Sequence, residues 1–423
     1  MSFGTAAIVF GGLVIVGALV SGVAGRSFLS LTALFILAGF VLGEGGLDVV
    51  QVDPRSGFVE DLALVALILI LFRDGLEVEA EMLQRAWRLP LRKLVVAMPI
   101  TALIVALAAK ALAGLTWTEA FLLGSLLSPT DPVLSSSVVT NPRVPRVIRH
   151  SLNLESGLND GLALPPVLAF SAALSADHDF VWWRFVLQDV TLGVLSGLVI
   201  GYLASRLVPR GTLERSIPPH QRALYGLGVA FLAYGVTVVL EHGNGVIAVF
   251  VCAMTLGIRR PDIRHYVEQR SADVIELVKL GIFVVFGALL TFDHLFADGW
   301  AAVAIVVVTL LVARPVAVFV ALAGTRTGTA TKAFMAWFGP KGVATMTFSL
   351  LVLGQGVTAG QEIFDLASLV VVCSVLAHGL TDHAGVDWIA RRAPDTPAVP
   401  VPAPPAGAQL ADLTEAATSP GRE

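Results

Sequence analysis

Uncharged apolar stretches recur along this chain from its first residues to about residue 388. Stretches of about twenty residues match a ~30 Å hydrocarbon core when they are helical. Lipid offers the backbone no hydrogen-bond partner, so such segments must satisfy themselves as helices. The reading is an all-α polytopic membrane protein. Composition agrees, with 56% apolar and only 14% charged residues, where soluble domains carry about 25% charged ones. A net charge of −4 gives no basic excess that would point to nucleic acid. Cys252 and Cys373 both lie inside apolar runs, which excludes a disulfide framework and a cysteine zinc site.

Thirteen spans are predicted, at 5–25, 28–48, 58–73, 91–114, 117–139, 150–175, 184–205, 222–240, 243–258, 273–291, 299–322, 330–355 and 362–388. No positive charge precedes the first, so a cleaved signal peptide is not expected. Loops after odd-numbered spans, with the segment after the last, hold twenty-one Lys and Arg, Lys93 and Arg73 among them. Loops after even-numbered spans hold two, Arg55 and Arg184. Positive charge stays inside, which predicts a multi-pass protein of the cell (inner) membrane with its N-terminus outside and C-terminus in the cytoplasm. Residues 1–392 form the membrane domain. Residues 393–423, with seven prolines and many alanines, are expected to be a disordered cytoplasmic tail. No GxGxxG or GxxxxGK[ST] loop occurs, so energy must come from an ion gradient and no cofactor is called for.

Ionisable residues in mid-span cost about 2.5–3.5 kcal/mol each on insertion scales, so each needs a reason. Span five carries Ser128-Pro129-Thr130-Asp131-Pro132, and span twelve carries Gly339-Pro340-Lys341-Gly342. The prolines break both helices. Their span numbers differ by seven, an odd number, so they cross the membrane in opposite senses, the mark of an inverted-repeat transporter with broken crossing helices. Asp131 would offset a positive helix end and Lys341 a negative one. Span six is denser still, with Glu155, Ser156, Asn159 and Asp160 among Gly157 and Gly161. Two carboxylates buried for packing alone would be exceptional. Arg314, mid-span in segment eleven, is the expected partner of one of them, and its loss is predicted to damage folding more than Glu155→Gln. Lys110 and Lys279 are expected to snorkel from span ends.

These motifs resemble the monovalent cation:proton antiporter family, sodium/proton exchangers of the NhaP/NHE type. The resemblance rests on Thr130-Asp131-Pro132, on Glu155 through Gly161, on Ala313-Arg314 and on Gly339 through Gly342. It implies an NhaA/NhaP-like antiporter fold and a homodimer whose core domain moves like an elevator. It also implies that Asp160 binds cation or proton, with Asp131, Ser156 and Thr130 completing an Na⁺ cage. Asn159 would steady the crossing, and Glu155 would pair with Arg314. The family's usual GPRG reads GPKG here, so Lys341 keeps the charge but loses the guanidinium fork.

The chemistry runs the same way. Hard cations prefer oxygen ligands, and the cluster offers oxygens. Burial disfavours a charged carboxylate, so proton and cation compete for one group. With Asn159 beside Asp160 there is one exchanging carboxylate, and one-for-one exchange is electroneutral. The implied role is secondary antiport of Na⁺ (or Li⁺) for H⁺, serving pH and sodium homeostasis, not catalysis. A K⁺/H⁺ antiporter or a channel is an alternative within transport. An intramembrane aspartyl protease built on Asp131 and Asp160 is the alternative outside it.

Overall fold

The computed structural model describes residues 3–24, 31–78, 88–131, 136–175, 180–207, 218–240 and 243–393. Pro132 and most of the Pro/Ala-rich tail lie outside the described residues, as do Arg26, Arg85, Arg210 and Arg215 of the loop count. Among the described residues the regular structure is helical throughout, with no strand.

The helices, in chain order, are α1 (Phe3–Ala24), α2 (Leu31–Leu42), α3 (Gly57–Leu76), α4 (Arg88–Leu112) and α5 (Trp117–Leu126). They continue with α6 (Ser136–Thr140), α7 (Arg146–Leu174), α8 (Trp182–Leu207), α9 (Pro219–Leu240), α10 (Gly245–Arg259) and α11 (Pro261–Ala288). The last are α12 (Phe292–Leu295), α13 (Trp300–Ala321), α14 (Thr329–Trp337), α15 (Val343–Gly354) and α16 (Gly360–Arg392). Helix falls within every predicted stretch. Among the described residues five segments are long and apolar enough to cross a membrane by themselves: α4, α8, Gln221–Leu240 of α9, α13 and α16.

Boundaries differ from the sequence reading where charge or glycine misleads. Among its described residues the stretch 28–48 holds only the 12-residue α2, because the chain turns tightly through Gly43, Gly45 and Gly46, with Asp48 at a positive φ of 51°. The stretch 273–291 belongs to a helix that starts at Pro261, since Pro at the first position suits a helix and polar residues continue its solvent end. In α7 Pro165 and Pro166 sit inside an uninterrupted 29-residue helix.

Helix packing follows from small residues. Gly193, Gly197 and Gly201 of α8 recur every fourth residue and face the carbonyls of Asn244, Ala248 and Cys252 on α10, where added Cβ atoms would lie 2.6–2.8 Å away. This is the spacing by which membrane helices bring backbones together. Outward faces of α8 and α13 stay apolar and exposed, with Leu207 at 74% and Trp300 at 71%. The main core gathers Phe283, Phe286, Phe348 and Phe364 around the inner faces of α3, α5, α7 and α15. Caps fix the helix starts that matter for the site: Thr116 and Glu119 form a reciprocal box at α5, and Asn244 Oδ1 accepts from two amides of α10.

Candidate functional site

Two helix interruptions meet at the centre of the fold. α5 ends at Leu126, and the chain runs on without regular structure through Pro129, Thr130 and Asp131. α14 ends at Trp337, and α15 starts at Val343. The Asp131 amide donates to the Pro340 carbonyl at 2.8 Å, and Thr345 Oγ1 donates to the Leu126 carbonyl at 3.0 Å. Lys341 Nζ donates to the Pro129 carbonyl at 3.2 Å, so its buried ammonium meets the carbonyl end that α5 leaves. The Lys341 amide donates to Ser374 Oγ of α16 at 2.9 Å.

The opposite end is matched in charge. A Cβ on Gly342, which caps the start of α15, would overlap the Asp131 side chain. The Asp131 carboxylate therefore lies at the positive N-terminal end of α15. Gly339 has the same role on the other side, since a Cβ there would overlap the Arg314 guanidinium. Arg314 Nη2 also donates to the carbonyls of Met335 (3.3 Å) and Phe338 (3.5 Å), at the negative end of α14.

α7 runs past this crossing and supplies the remaining groups. Asn159 Nδ2 donates to the Thr130 carbonyl at 2.5 Å and reaches Thr130 Oγ1 at 3.2 Å. Thr130 Oγ1 also receives Arg314 Nη1 at 3.3 Å. Glu155, 6% exposed, takes two cations: Arg314 Nη1 on Oε1 at 3.1 Å and Lys93 Nζ on Oε2 at 2.5 Å. Lys93 Nζ further donates to the Ser151 carbonyl at 3.3 Å. Asp160, 4% exposed, differs: its Oδ1 is buried without a hydrogen-bond partner. The charged groups acting on Asp160 are Asp74, Asp131 and Arg73. Ser156 is half-buried on the turn between Glu155 and Asp160.

The structure thus brings together Thr130, Asp131, Glu155, Asn159, Asp160, Arg314 and Lys341, all named from sequence. It corrects the reading of Lys93 as a loop charge. A π-helical turn over Lys93–Ala97 starts at this residue within α4, and another over Val308–Ala313 ends just before Arg314. Each turn re-aims the helix face beside it, and the two cations converge on Glu155. Lys279 does not snorkel either: it is 6% exposed and bonds Glu276 at 3.3 Å. Asp74, at the end of α3, was missed, and Arg73 beside it was read only as a loop charge; an acidic residue ending an apolar run was the available signal. Among the described residues no three His, Cys, Asp or Glu side chains could together hold a metal ion, so a cation here would need hydroxyl or carbonyl oxygens as well.

A family model described as sodium/hydrogen exchanger, transmembrane, matches residues 12–385. The chain belongs to the sodium/hydrogen exchanger family. It is a membrane antiporter of a monovalent cation and protons, a secondary transporter and not an enzyme. The exchanger is 25% identical over 398 residues to the K(+)/H(+) antiporter NhaP of Alkalimonas amylolytica, covering 92% of this chain and 67% of that one. It is 26% identical over 412 residues to the K(+)/H(+) antiporter NhaP2 of Shewanella oneidensis, covering 95% and 70%. Its fold matches the sodium proton antiporter MjNhaP1 of Methanocaldococcus jannaschii, with a TM-score of 0.77, 19% identity, and 90% and 97% of the two chains covered. The all-helical antiporter fold expected from the sequence is the one found.

Proposed function

We propose that the exchanger carries Na⁺ (or Li⁺) against H⁺ at Asp160, with Asp131, Ser156 and Thr130 supplying the other oxygens. One observation carries this reading: Asp160 is a buried carboxylate whose Oδ1 has no partner, set at the crossing of two broken helices. Such an oxygen accepts either a proton or a desolvated cation, and either one neutralises the group. Asn159, bonded to Thr130, holds the α5 break in place without adding a second titrating group. Glu155, Arg314, Lys93 and Lys341 hold the frame.

The remaining parts of the proposal rest on the span count and the family likeness. Thirteen spans in two inverted repeats place the two breaks in opposite senses. Residues 1–392 form the transporting domain of a homodimer, and a core carrying α5–α7 and α13–α16 moves as an elevator. The N-terminus lies outside and the C-terminus inside the inner membrane. A single exchanging carboxylate makes the cycle electroneutral, and the cell uses it to hold pH and sodium.

Potassium is the second reading, favoured by the two relatives named as K(+)/H(+) antiporters. Proteoliposomes with an imposed ΔpH decide between them, when NaCl, LiCl and KCl are added in turn and luminal pH is read. Dissipation by Na⁺ or Li⁺ alone supports the first reading, and by K⁺ alone the second. A leak independent of any cation defeats both.

A further inference from the structure

Beside the groups that meet at the crossing, α16 buries a histidine, His378, at 3% exposure. Its Nε2 lies 2.8 Å from the carbonyl of Trp337, the last residue of α14. Its Nδ1 lies 2.7 Å from the Ser374 carbonyl and 3.3 Å from Ser374 Oγ. The Trp337 indole stacks on the imidazole at 5.1 Å and 22°, and its Nε1 donates to Thr381 Oγ1 at 2.9 Å. The ring is thereby held with a nitrogen toward each carbonyl.

A carbonyl oxygen only accepts, and a neutral imidazole has one N–H for its two nitrogens. In either neutral tautomer one lone pair faces a carbonyl; the imidazolium alone donates to both. Against that second proton stand Arg314 of α13 and Lys341 of the α14–α15 break, the cations that face the ring. On α16 the carboxylate nearest in sequence is Asp382, one turn on. Two carbonyls thus favour the charge and two cations oppose it.

The ring also reaches the crossing. Ser374 Oγ accepts from the Lys341 amide at 2.9 Å. That amide shares a peptide unit with the Pro340 carbonyl, which accepts from the Asp131 amide at 2.8 Å. A chain of hydrogen bonds therefore runs from His378 through Ser374 and one peptide to Asp131. Bonds in such a chain polarise one another. While Nδ1 is bare, the Ser374 hydroxyl donates to it and the chain is continuous. Once Nδ1 carries a proton, the hydroxyl loses that acceptor, and a third positive charge joins Arg314 and Lys341. Both changes disfavour a cation at the crossing.

We propose that His378 is a second proton-binding group of the exchanger, a positioning residue that lowers cation affinity at the crossing when its ring is charged. The inference rests on the reading of Asp160 as the exchanging group, which binds the proton that is carried. The proton on His378 is not cargo, because ring nitrogens set against carbonyls give Na⁺ or K⁺ no place. It tunes the site through Ser374.

The test uses the full chain in proteoliposomes. Apparent KM for NaCl and KCl is measured from about pH 5 to 8, the range in which histidine changes charge. The amide of His378→Gln donates to Trp337 and accepts from Ser374, so it copies the neutral ring at every pH. Proton competition at Asp160 is common to both proteins and cancels in the ratio of their KM values. That ratio, wild type over variant, is expected near unity at the alkaline end. It should rise to about fivefold at the acid end, the lower range of coupling between two sites. A ratio independent of pH overturns the proposal, since a merely structural role shifts KM equally throughout. If His378→Gln fails to fold, Ser374→Ala decides. It should raise KM at the alkaline end and not at the acid end, because the hydroxyl serves the chain only while the ring is neutral. A pH-independent effect there overturns the proposal as well. Asp160→Asn in the same assay separates the two claims. Exchange surviving in that variant defeats the reading of Asp160; its loss beside a pH-independent KM ratio defeats only the role of His378.

Discussion

Glu155 and Asp160 stand five residues apart on one helix, equally buried, yet they meet opposite surroundings. Glu155 is held by Lys93 and Arg314, one cation on each oxygen. Asp160 keeps a buried oxygen with no partner. A carboxylate clamped between two fixed charges has nothing to exchange. One left short of a counter-charge must take a proton or a cation, because an uncompensated buried charge is expensive. The same residue chemistry therefore builds the frame at one turn of α7 and, on the reading proposed above, the transport site at the next.

The sharpest way to break this contrast is at the frame. Glu155→Gln leaves Lys93 and Arg314 facing each other without an anion. We expect a loss of about 3–5 kcal/mol, the cost of breaking a buried ion pair by removing one partner. Arg314→Ala leaves the Lys93–Glu155 bond in place and should cost less, about 1.5–3 kcal/mol for its charged hydrogen bonds. This reverses the order expected from sequence, where Arg314 was taken as the sole partner. Melting curves of the purified variants in detergent check it; a melt for Arg314→Ala below that of Glu155→Gln would mean Lys93 contributes little to holding Glu155.

Gly342→Ala tests the transport side of the contrast. Its methyl group collides with Asp131, and overpacking of this kind costs about 1–3 kcal/mol. Exchange should fall more than stability does, since the displaced group is a carboxylate of the proposed site. Equal falls in melting temperature and in rate would place Asp131 in the frame.

Smallest is the effect of an ion pair outside the membrane. Arg260 bonds Asp262 at 2.8 Å and holds its carboxyl below the usual range. The folded value is depressed, so the pair's stabilisation is present above the ordinary carboxylate range and fades as pH falls through the depressed value. Asp262→Asn should flatten that acid limb slightly and leave exchange alone. An exchange rate changed by Asp262→Asn would remove it as a control.

Much of the site was legible because lipid makes charge conspicuous. Asp131, Glu155, Asp160, Arg314 and Lys341 interrupt apolar runs, and the prolines beside Asp131 and Lys341 mark the breaks. What stayed hidden sits at the ends of runs, where charge is ordinary. Lys93 opens an apolar run and reads as a loop cation; the π-helical turn that re-aims it has no local sequence signature. Asp74 closes a run beside Arg73, where a charge draws no notice. Lys279 looked like a snorkelling end because the polar first turns of α11 hid the true start of that helix at Pro261.

The proposed one-for-one cycle makes a further expectation. A membrane potential, worth about 2.3 kcal/mol per charge per 100 mV, should not drive net exchange if one charge crosses in each half-cycle. A valinomycin/K⁺ potential on Na⁺-balanced proteoliposomes should move luminal pH no further than a protein-free leak control does. A potential-driven pH change above that control contradicts electroneutrality.

The most direct measurement is made on Asp160 itself. Wild type and Asp160→Asn are reconstituted at matched density, a ΔpH is imposed, and sodium or potassium is added while luminal pH is followed. The account predicts cation-dependent dissipation of ΔpH in the wild type and none in Asp160→Asn, with the variant still folded by its melting curve. Cation-driven proton movement surviving in Asp160→Asn would contradict it.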